Sequence, residues 1–448
     1  MKIERLTLTN FRGVTHRSLS FHPDFNLIVG VNGVGKTSVL EALRVLLAHA
    51  IQMFAKSPRF NAEFEADDLM RGATEMTAEL TFSCYGHGPY TYLVNKSEQT
   101  HVNNPTGGLR NQTTATPDRR ELRHVDRPEE ILASGPKEFK SLSNQPLGLH
   151  FSVGRSRASD ERSKLGHSTN PGYFGAFVTE RGLRVQDLVD WLRNKEQIAR
   201  EAPEGNSARQ KTSVLSAIAT MLPELSNWRL EGGTLWVTKH VSRQRINKAS
   251  PLKELHLVSE PINLQIDELS DGERSLVVLG FDIARRLAQL NPNDPTPTIN
   301  GQGVVLIDEV DLHLHPQWQR RIVASLTTAF PNLQFIATTH SPQVIGETPA
   351  GRAVLLREDG GFDVLDESLG RDSGWILRHV MDTPERNERL QAGLDEIGRL
   401  MESDEFAKAR SRVTALRAEF GDDKELIGAN AAIDRWEVLG DEADSEGQ

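Results

Sequence analysis

Val304-Val305-Leu306-Ile307-Asp308-Glu309 is a run of branched apolar residues that ends in two adjacent carboxylates. With no polar alternation it reads as a strand buried on both faces, the kind found in parallel sheets covered by helices. Two acids at the end of such a strand are costly to bury unless a cation or a substrate uses them. Asp308 is then placed to hold a divalent cation through water, and Glu309 to polarise an attacking water. The same letters also fit a strand that simply ends in an acidic turn, so the rest of the chain has to decide.

Toward the C-terminus, Leu333-Gln334-Phe335-Ile336-Ala337-Thr338-Thr339-His340 is a second apolar strand, which delivers His340 to the same edge of the sheet. Toward the N-terminus, Leu269-Ser270-Asp271-Gly272-Glu273-Arg274 opens a helix that continues through Leu287. Ser270 offers a hydroxyl there, and the helix start offers free N–H groups and the positive end of its dipole to a phosphate. Taken alone, that segment is also an ordinary capped helix. Farther upstream, the apolar run Phe25–Val29 leads into Gly30-Val31-Asn32-Gly33-Val34-Gly35-Lys36-Thr37, and Ser38–Leu43 follows with helical spacing. This is G-x-x-x-x-G-K-[ST] between a strand and a helix, the phosphate-binding loop. Its glycines let backbone N–H groups turn inward around phosphates, Lys36 lies along the β- and γ-phosphates, and the Thr37 hydroxyl ligates Mg²⁺. One chain has no evident need of two phosphate-binding helix starts on one nucleotide. Two facing chains do, because each lends its Ser270 helix to the other's nucleotide.

In this order the elements resemble the Walker A, signature, Walker B, D-loop and H-loop of ABC ATPases, with Asp311 in the D-loop position and His340 in the H-loop position. The opening Leu8-Thr9-Asn10-Phe11-Arg12-Gly13, together with the glycine loop, is similar to the RecF/SMC/Rad50 branch. Asp308-Glu309-Val310-Asp311-Leu312-His313-Leu314-His315-Pro316 and Thr339-His340-Ser341-Pro342 resemble the OLD-like and anti-phage ATPases. Gly370-Arg371-Asp372-Ser373-Gly374-Trp375-Ile376-Leu377 and its helical sequel resemble the ATPases of Septu and retron-associated defence systems. The resemblance implies an α/β fold: an ABC-ATPase head with a mixed sheet flanked by helices, a compact mostly helical insertion arm, and a helical C-terminal tail. It implies ATP and Mg²⁺ as ligands. Asn32, Gly33, Val34, Gly35, Lys36, Thr37 and Ser38 then surround the phosphates, with Arg12 approaching them. Thr37 and Asp308 hold the metal, and Glu309 and His340 are catalytic. Ser270, Asp271, Gly272, Glu273 and Asp311 address the nucleotide from the dimer face. Asp271 stands where many family members have a second glycine. No glutamine-loop residue declares itself: Gln145, ahead of the Leu147–Phe151 strand, and Asp67 or Asp68 are the candidates. His313 and His315 have the look of a metal pair, yet they also fit the plain pattern of the family beside the D-loop.

The remaining composition narrows the class. The chain has 448 residues, a net charge of −10 and one cysteine, Cys84. A lone cysteine excludes a disulfide framework and suits a cytoplasmic protein. No stretch reads as a membrane span of roughly 20 apolar residues. We expect an N-terminal ATPase lobe at 1–96, an insertion at 97–260, a C-terminal ATPase lobe at 261–366 and a helical tail with a disordered acidic end at 367–448. Within the insertion, 97–144 reads as irregular, 185–225 as helical, and Thr234–Val237 with Leu255–Val258 as an antiparallel pair. Lys239, Arg243, Arg245 and Lys248 form a basic run able to follow a phosphodiester backbone, as do Arg155, Arg157, Arg162 and Lys164; solvated loops are the ordinary alternative.

The expected function is an ATPase that dimerises head to tail, or forms a higher even-numbered oligomer, through its ATP sites. The resemblance implies that it regulates a separately encoded HNH-type nuclease in bacterial anti-phage defence, with no nuclease centre of its own. A RecF-like DNA-repair ATPase and a low-turnover nucleotide-sensing scaffold are the alternatives.

Overall fold

A computed structural model gives the fold and describes residues 1–55, 60, 62–97, 119–133, 143–156, 171–179, 181–201, 205–246 and 255–445. Within Met1–Arg371, one of two compact units, the described strands form three sheets. The first sheet has the order β2 (Val14–Ser20), β1 (Lys2–Phe11), β4 (Glu75–Cys84), β5 (His87–Ser97), β6 (Arg119–His124), β7 (Arg127–Leu132), with every pairing antiparallel. β1 and β4 bury alternate residues, such as Leu6, Leu8, Met76, Ala78, Leu80 and Phe82, as a half-buried sheet requires. The hairpin of β6 and β7 lies inside the stretch expected to be an irregular insertion. It continues this sheet instead, and it was hard to read because an exposed edge carries charge rather than apolar alternation.

The second sheet holds the chemistry. Its order is β15 (Phe362–Leu365), β14 (Ala353–Leu356), β3 (Phe25–Val29), β13 (Leu333–Thr338), β12 (Gly303–Ile307), β8 (Leu147–Phe151). β14, β3, β13, β12 and β8 run parallel and β15 is antiparallel, so the sheet is mixed. β3, β8, β12 and β13 are buried along their whole length, which explains their unbroken apolar sequences. The helix Lys36–Phe54 lies against strands of both sheets and is buried on nearly all sides. By length and hydropathy alone this helix is apolar enough to cross a membrane, and its burial in the core accounts for that apolarity.

The arm combines helices Val185–Glu201 and Asn206–Met221 with a third sheet of β9 (Leu225–Glu231), β10 (Thr234–Ile246) and β11 (Leu255–Gln265). The expected hairpin is present in a different register: Val237 pairs with Leu264, and Val258 with Arg243. β9 is a third strand that the sequence reading missed. The second unit, Asp372–Gln448, is helical, with Ser373–His379, Glu388–Glu402, Phe406–Phe420 and Lys424–Ser445. Leu390, Ile397, Val413, Leu416, Leu426 and Ile433 form its own core. Its last helix continues to Ser445, beyond the point where a disordered acidic end was expected.

Candidate functional site

Strand register brings the site together. Ile307 of β12 is level with Phe151 of β8 and Ala337 of β13, and Thr338 is level with Ile28 of β3. The C-terminal ends of four parallel strands therefore share one edge, where such sheets present ligand sites. The glycine loop leaves β3 at this edge, with Gly33 at φ 86° and Gly35 at φ 99°, a left-handed backbone that other residues adopt only with strain. Gly35 is the cap of helix Lys36–Phe54, with no side-chain cap and no acid in the first turn. The positive helix end and its first N–H groups are left for an anion. The Lys36 ammonium donates to the carbonyls of Gly30 at 2.7 Å and Val31 at 2.9 Å. Burial pulls its pKa down, opposed by the nearby carboxylates Asp308 and Glu309.

Across from the loop, Thr37 Oγ1 donates to Asp308 Oδ2 at 3.4 Å, and Thr338 Oγ1 donates to the other carboxylate oxygen, Oδ1, at 2.6 Å. The Glu309 N–H donates back to Thr338 Oγ1 at 2.8 Å, so one threonine fixes both acids. Glu309 has φ 50°, a left-handed conformation costly for a residue with a side chain. Thr339 Oγ1 donates to Asp311 Oδ1 at 2.6 Å. His340 stands half-buried at the end of β13. Its pKa is lowered first by burial and then by Lys36, while Glu309, Asp311 and Asp308 act the other way. These groups share one field. On the other side, Arg12 donates through Nε to Asp68 Oδ1 at 2.8 Å and through Nη1 to Ser38 Oγ at 3.3 Å. Asp68 thus reaches the glycine loop through Arg12, whereas Gln145 precedes β8 at the end of the sheet opposite to Asp308.

The Ser270 helix, Asp271–Leu290, begins differently. Ser270 Oγ donates to Glu273 Oε2 at 2.8 Å, the Ser270 N–H donates to the same oxygen at 3.1 Å, and the Glu273 N–H returns to Ser270 Oγ at 3.4 Å. This is a complete capping box. Glu273 is buried and ion-paired with Lys239 Nζ at 2.7 Å. Its pKa is lowered by Lys239 and Ser270 against the opposing effect of burial. Glu273 therefore supports Ser270 from within, and Gly272 is a packing residue: a side chain there would meet His313 O at 3.1 Å. Asp271 is exposed and paired with Arg274. His315 Nδ1 accepts from the Gln317 N–H at 3.4 Å and caps the short helix Pro316–Gln319, while His313 occupies a left-handed turn at φ 61°.

The expected basic patches change character. Lys239 is engaged by Glu273. The side chains of Arg243 and Arg245, with Lys248, Arg157, Arg162 and Lys164, lie outside the described residues. Arg155 points inward: Nη1 donates to Asp308 O and Nη2 to Glu309 O, both at 2.5 Å. Thr338 and Arg155 are the site residues the sequence does not place, while Asp68, a glutamine-loop candidate, reaches the glycine loop through Arg12. Arg155 is hidden because it acts on backbone carbonyls that sequence does not display, and Thr338 because its partners Asp308 and the Glu309 N–H lie 29 to 30 residues away.

An AAA ATPase domain model matches residues 1–114, and a model described as "AAA domain, putative AbiEii toxin, Type IV TA system" matches residues 239–346. The chain is 34% identical to the Retron Ec83 probable ATPase of Escherichia coli over 52% of this chain and 41% of that protein, so the match spans about two-fifths of that relative's length. It is 25% identical to the Retron Vc95 probable ATPase of Vibrio cholerae, over 80% of this chain and 74% of the relative. With the Septu protein PtuA of Bacillus thuringiensis it shares 21% over 85% and 83%. Among solved structures, an Smc head bound to the C-winged helix domain of ScpA covers 82% of this chain and 98% of its own, with 16% identity and a TM-score of 0.45. The chain thus sets a glycine loop, a carboxylate pair and a histidine on one sheet edge, matches AAA ATPase domain models at 1–114 and 239–346, and is similar to the retron ATPases and Septu PtuA.

Proposed function

We propose that the chain binds ATP with Mg²⁺, closes on a second copy of itself across the nucleotide, hydrolyses the ATP, and through that cycle regulates a separately encoded HNH-type nuclease in anti-phage defence. The observation that carries the reading is the linked set Thr37–Asp308–Thr338–Glu309, which unites the glycine loop and the carboxylate pair at one strand edge. Thr37 and Asp308 offer hard oxygen ligands from two directions, a donor set that fits Mg²⁺, which keeps several of its waters. Bound there, the ion would neutralise charge on the β- and γ-phosphates. Lys36 and the uncapped helix start hold the phosphates, Glu309 orients the attacking water, and His340, kept neutral by burial, contacts the γ-phosphate. Asp311 and the Ser270 helix complete the site from the facing copy. The defence role rests on the retron and Septu relatives, and the nuclease partner is part of the proposal. Arg155 and Lys239, two of the cations a RecF-like reading would use, are engaged inside the fold.

Turnover of the wild type against Glu309→Gln at saturating ATP and Mg²⁺ tests the catalytic part. A loss of about 100-fold or more with ATP affinity retained is expected, and equal rates would refute it. Purification after expression with the native neighbouring genes tests the partner: a stoichiometric nuclease supports the reading, and a lone chain that binds duplex DNA with ATP moves it to DNA repair.

A further inference from the structure

The turn that carries Glu309 is held from two sides. Thr338 Oγ1 accepts the Glu309 N–H at 2.8 Å from β13, and the Arg155 guanidinium takes the carbonyls of Asp308 and Glu309 at 2.5 Å each from beyond β8. The Leu312 N–H shares the Glu309 carbonyl at 2.9 Å and closes the turn. Glu309 needs this grip, because its φ of 50° is a conformation that relaxes unless its surroundings fix it. Charge-assisted bonds to both carbonyls are the strong kind of restraint. Arg155 is itself anchored: Nη1 also donates to Ser152 O at 3.1 Å, and its own carbonyl accepts the Leu183 N–H at 2.9 Å. Leu183 lies just ahead of the first arm helix, Val185–Glu201. Burial lowers the Arg155 pKa to about 10, against the pull of Asp308, Glu309 and Asp311, so the group stays charged at neutral pH beside the three acids.

We infer that Arg155 is the positioning residue for Glu309, setting the backbone of the carboxylate turn from the root of the arm. It needs no contact with nucleotide to do so. The inference rests on the hydrolytic reading proposed above, and it predicts a specific kinetic pattern: turnover falls while nucleotide binding persists.

The test compares the full chain with Arg155→Gln and Arg155→Lys in ATP turnover and in backbone amide exchange. Arg155→Gln is expected to lower kcat by about 30- to 100-fold with KM for ATP changed by less than about threefold, the pattern of a group that acts on the transition state. Arg155→Lys, able to reach one carbonyl where the guanidinium fork reaches two, should fall between wild type and Arg155→Gln. Amide exchange over residues 308–312 should rise about tenfold in Arg155→Gln while that of β3 stays unchanged. A kcat within twofold of wild type, a rise in KM at constant kcat, or unchanged exchange at 308–312 would overturn the assignment. If Arg155→Gln fails to fold, Arg155→Lys carries the same kinetic split. If the wild type itself matches Glu309→Gln in turnover, the hydrolytic reading fails by that result, and the exchange data alone decide whether Arg155 holds the turn.

Discussion

The two helix starts proposed to face phosphate are built in opposite ways. Helix Lys36–Phe54 starts on a left-handed glycine, with no side-chain cap and no acid in its first turn. Helix Asp271–Leu290 starts on Ser270 inside a capping box, with Asp271 and Glu273 in its first turn and Lys239 paired to Glu273. The first leaves its N–H groups and dipole free, so it can hold an anion by itself. The second satisfies its own N-terminus and places negative charge there, which favours the helix and opposes an isolated anion. In the proposed closure, Ser270 would act only once another chain presents a nucleotide already held by its glycine loop. The proposed function thus divides holding and closing between separate helices.

That division can be broken by substitution. The largest effect is expected from Lys36→Ala, which should weaken ATP binding by the single chain about 100-fold, since in the proposed site Lys36 would supply charge-assisted contacts to two phosphates; calorimetry measures it. Next, Thr338→Val removes the hydroxyl that fixes Asp308 and Glu309 but keeps the volume. Turnover should drop about tenfold with binding intact, consistent with one buried hydrogen-bonded link lost. Glu273→Gln, which weakens the pair with Lys239, should leave single-chain ATP affinity unchanged and weaken ATP-driven association about fivefold, as a partly buried ion pair would. Equal effects of Lys36→Ala and Glu273→Gln on single-chain binding would abolish the distinction between the two helices.

The smallest effect concerns pH. His340 has a depressed pKa, so ATP affinity should stay flat between about pH 7.5 and 6.5, the ordinary histidine value. An acid limb centred at or above about pH 6.5 would contradict a depressed His340 pKa. Stability has a definite sign. His150 is held at about 3 by burial and by Arg44, Arg155 and Arg181, and His49 at about 4 by burial and Arg120. The unfolded chain binds these protons first, so stability is full above about pH 6.5 and is lost as pH falls, by roughly 1.4 kcal/mol per unit for each group. Denaturant titrations should show a shallower slope below pH 6.5 in His150→Gln.

What the sequence disclosed follows from how each feature is built. The glycine loop is contiguous, and its strand and helix declare themselves by periodicity, so Gly30 to Ser38 could be placed from letters alone. Asp308, Glu309 and His340 were legible because fully buried strands are uniformly apolar and a polar terminus stands out. Arg155 looked like one cation among several because its partners are carbonyls, which every residue possesses. Glu273 was read as a nucleotide contact, since its link to Lys239 spans 34 positions and depends on the register of β10. The charged hairpin at Arg119–Leu132 gave no strand signal because it forms an exposed edge.

The most direct test of the account is the mass of Glu309→Gln by sedimentation velocity, with ATP and Mg²⁺ and with ADP. The account predicts a doubling of mass, or a higher even multiple, with ATP only, lost in Glu309→Gln/Ser270→Arg although ATP still binds. A mass that stays that of one chain while ATP occupies the site would contradict closure across the nucleotide.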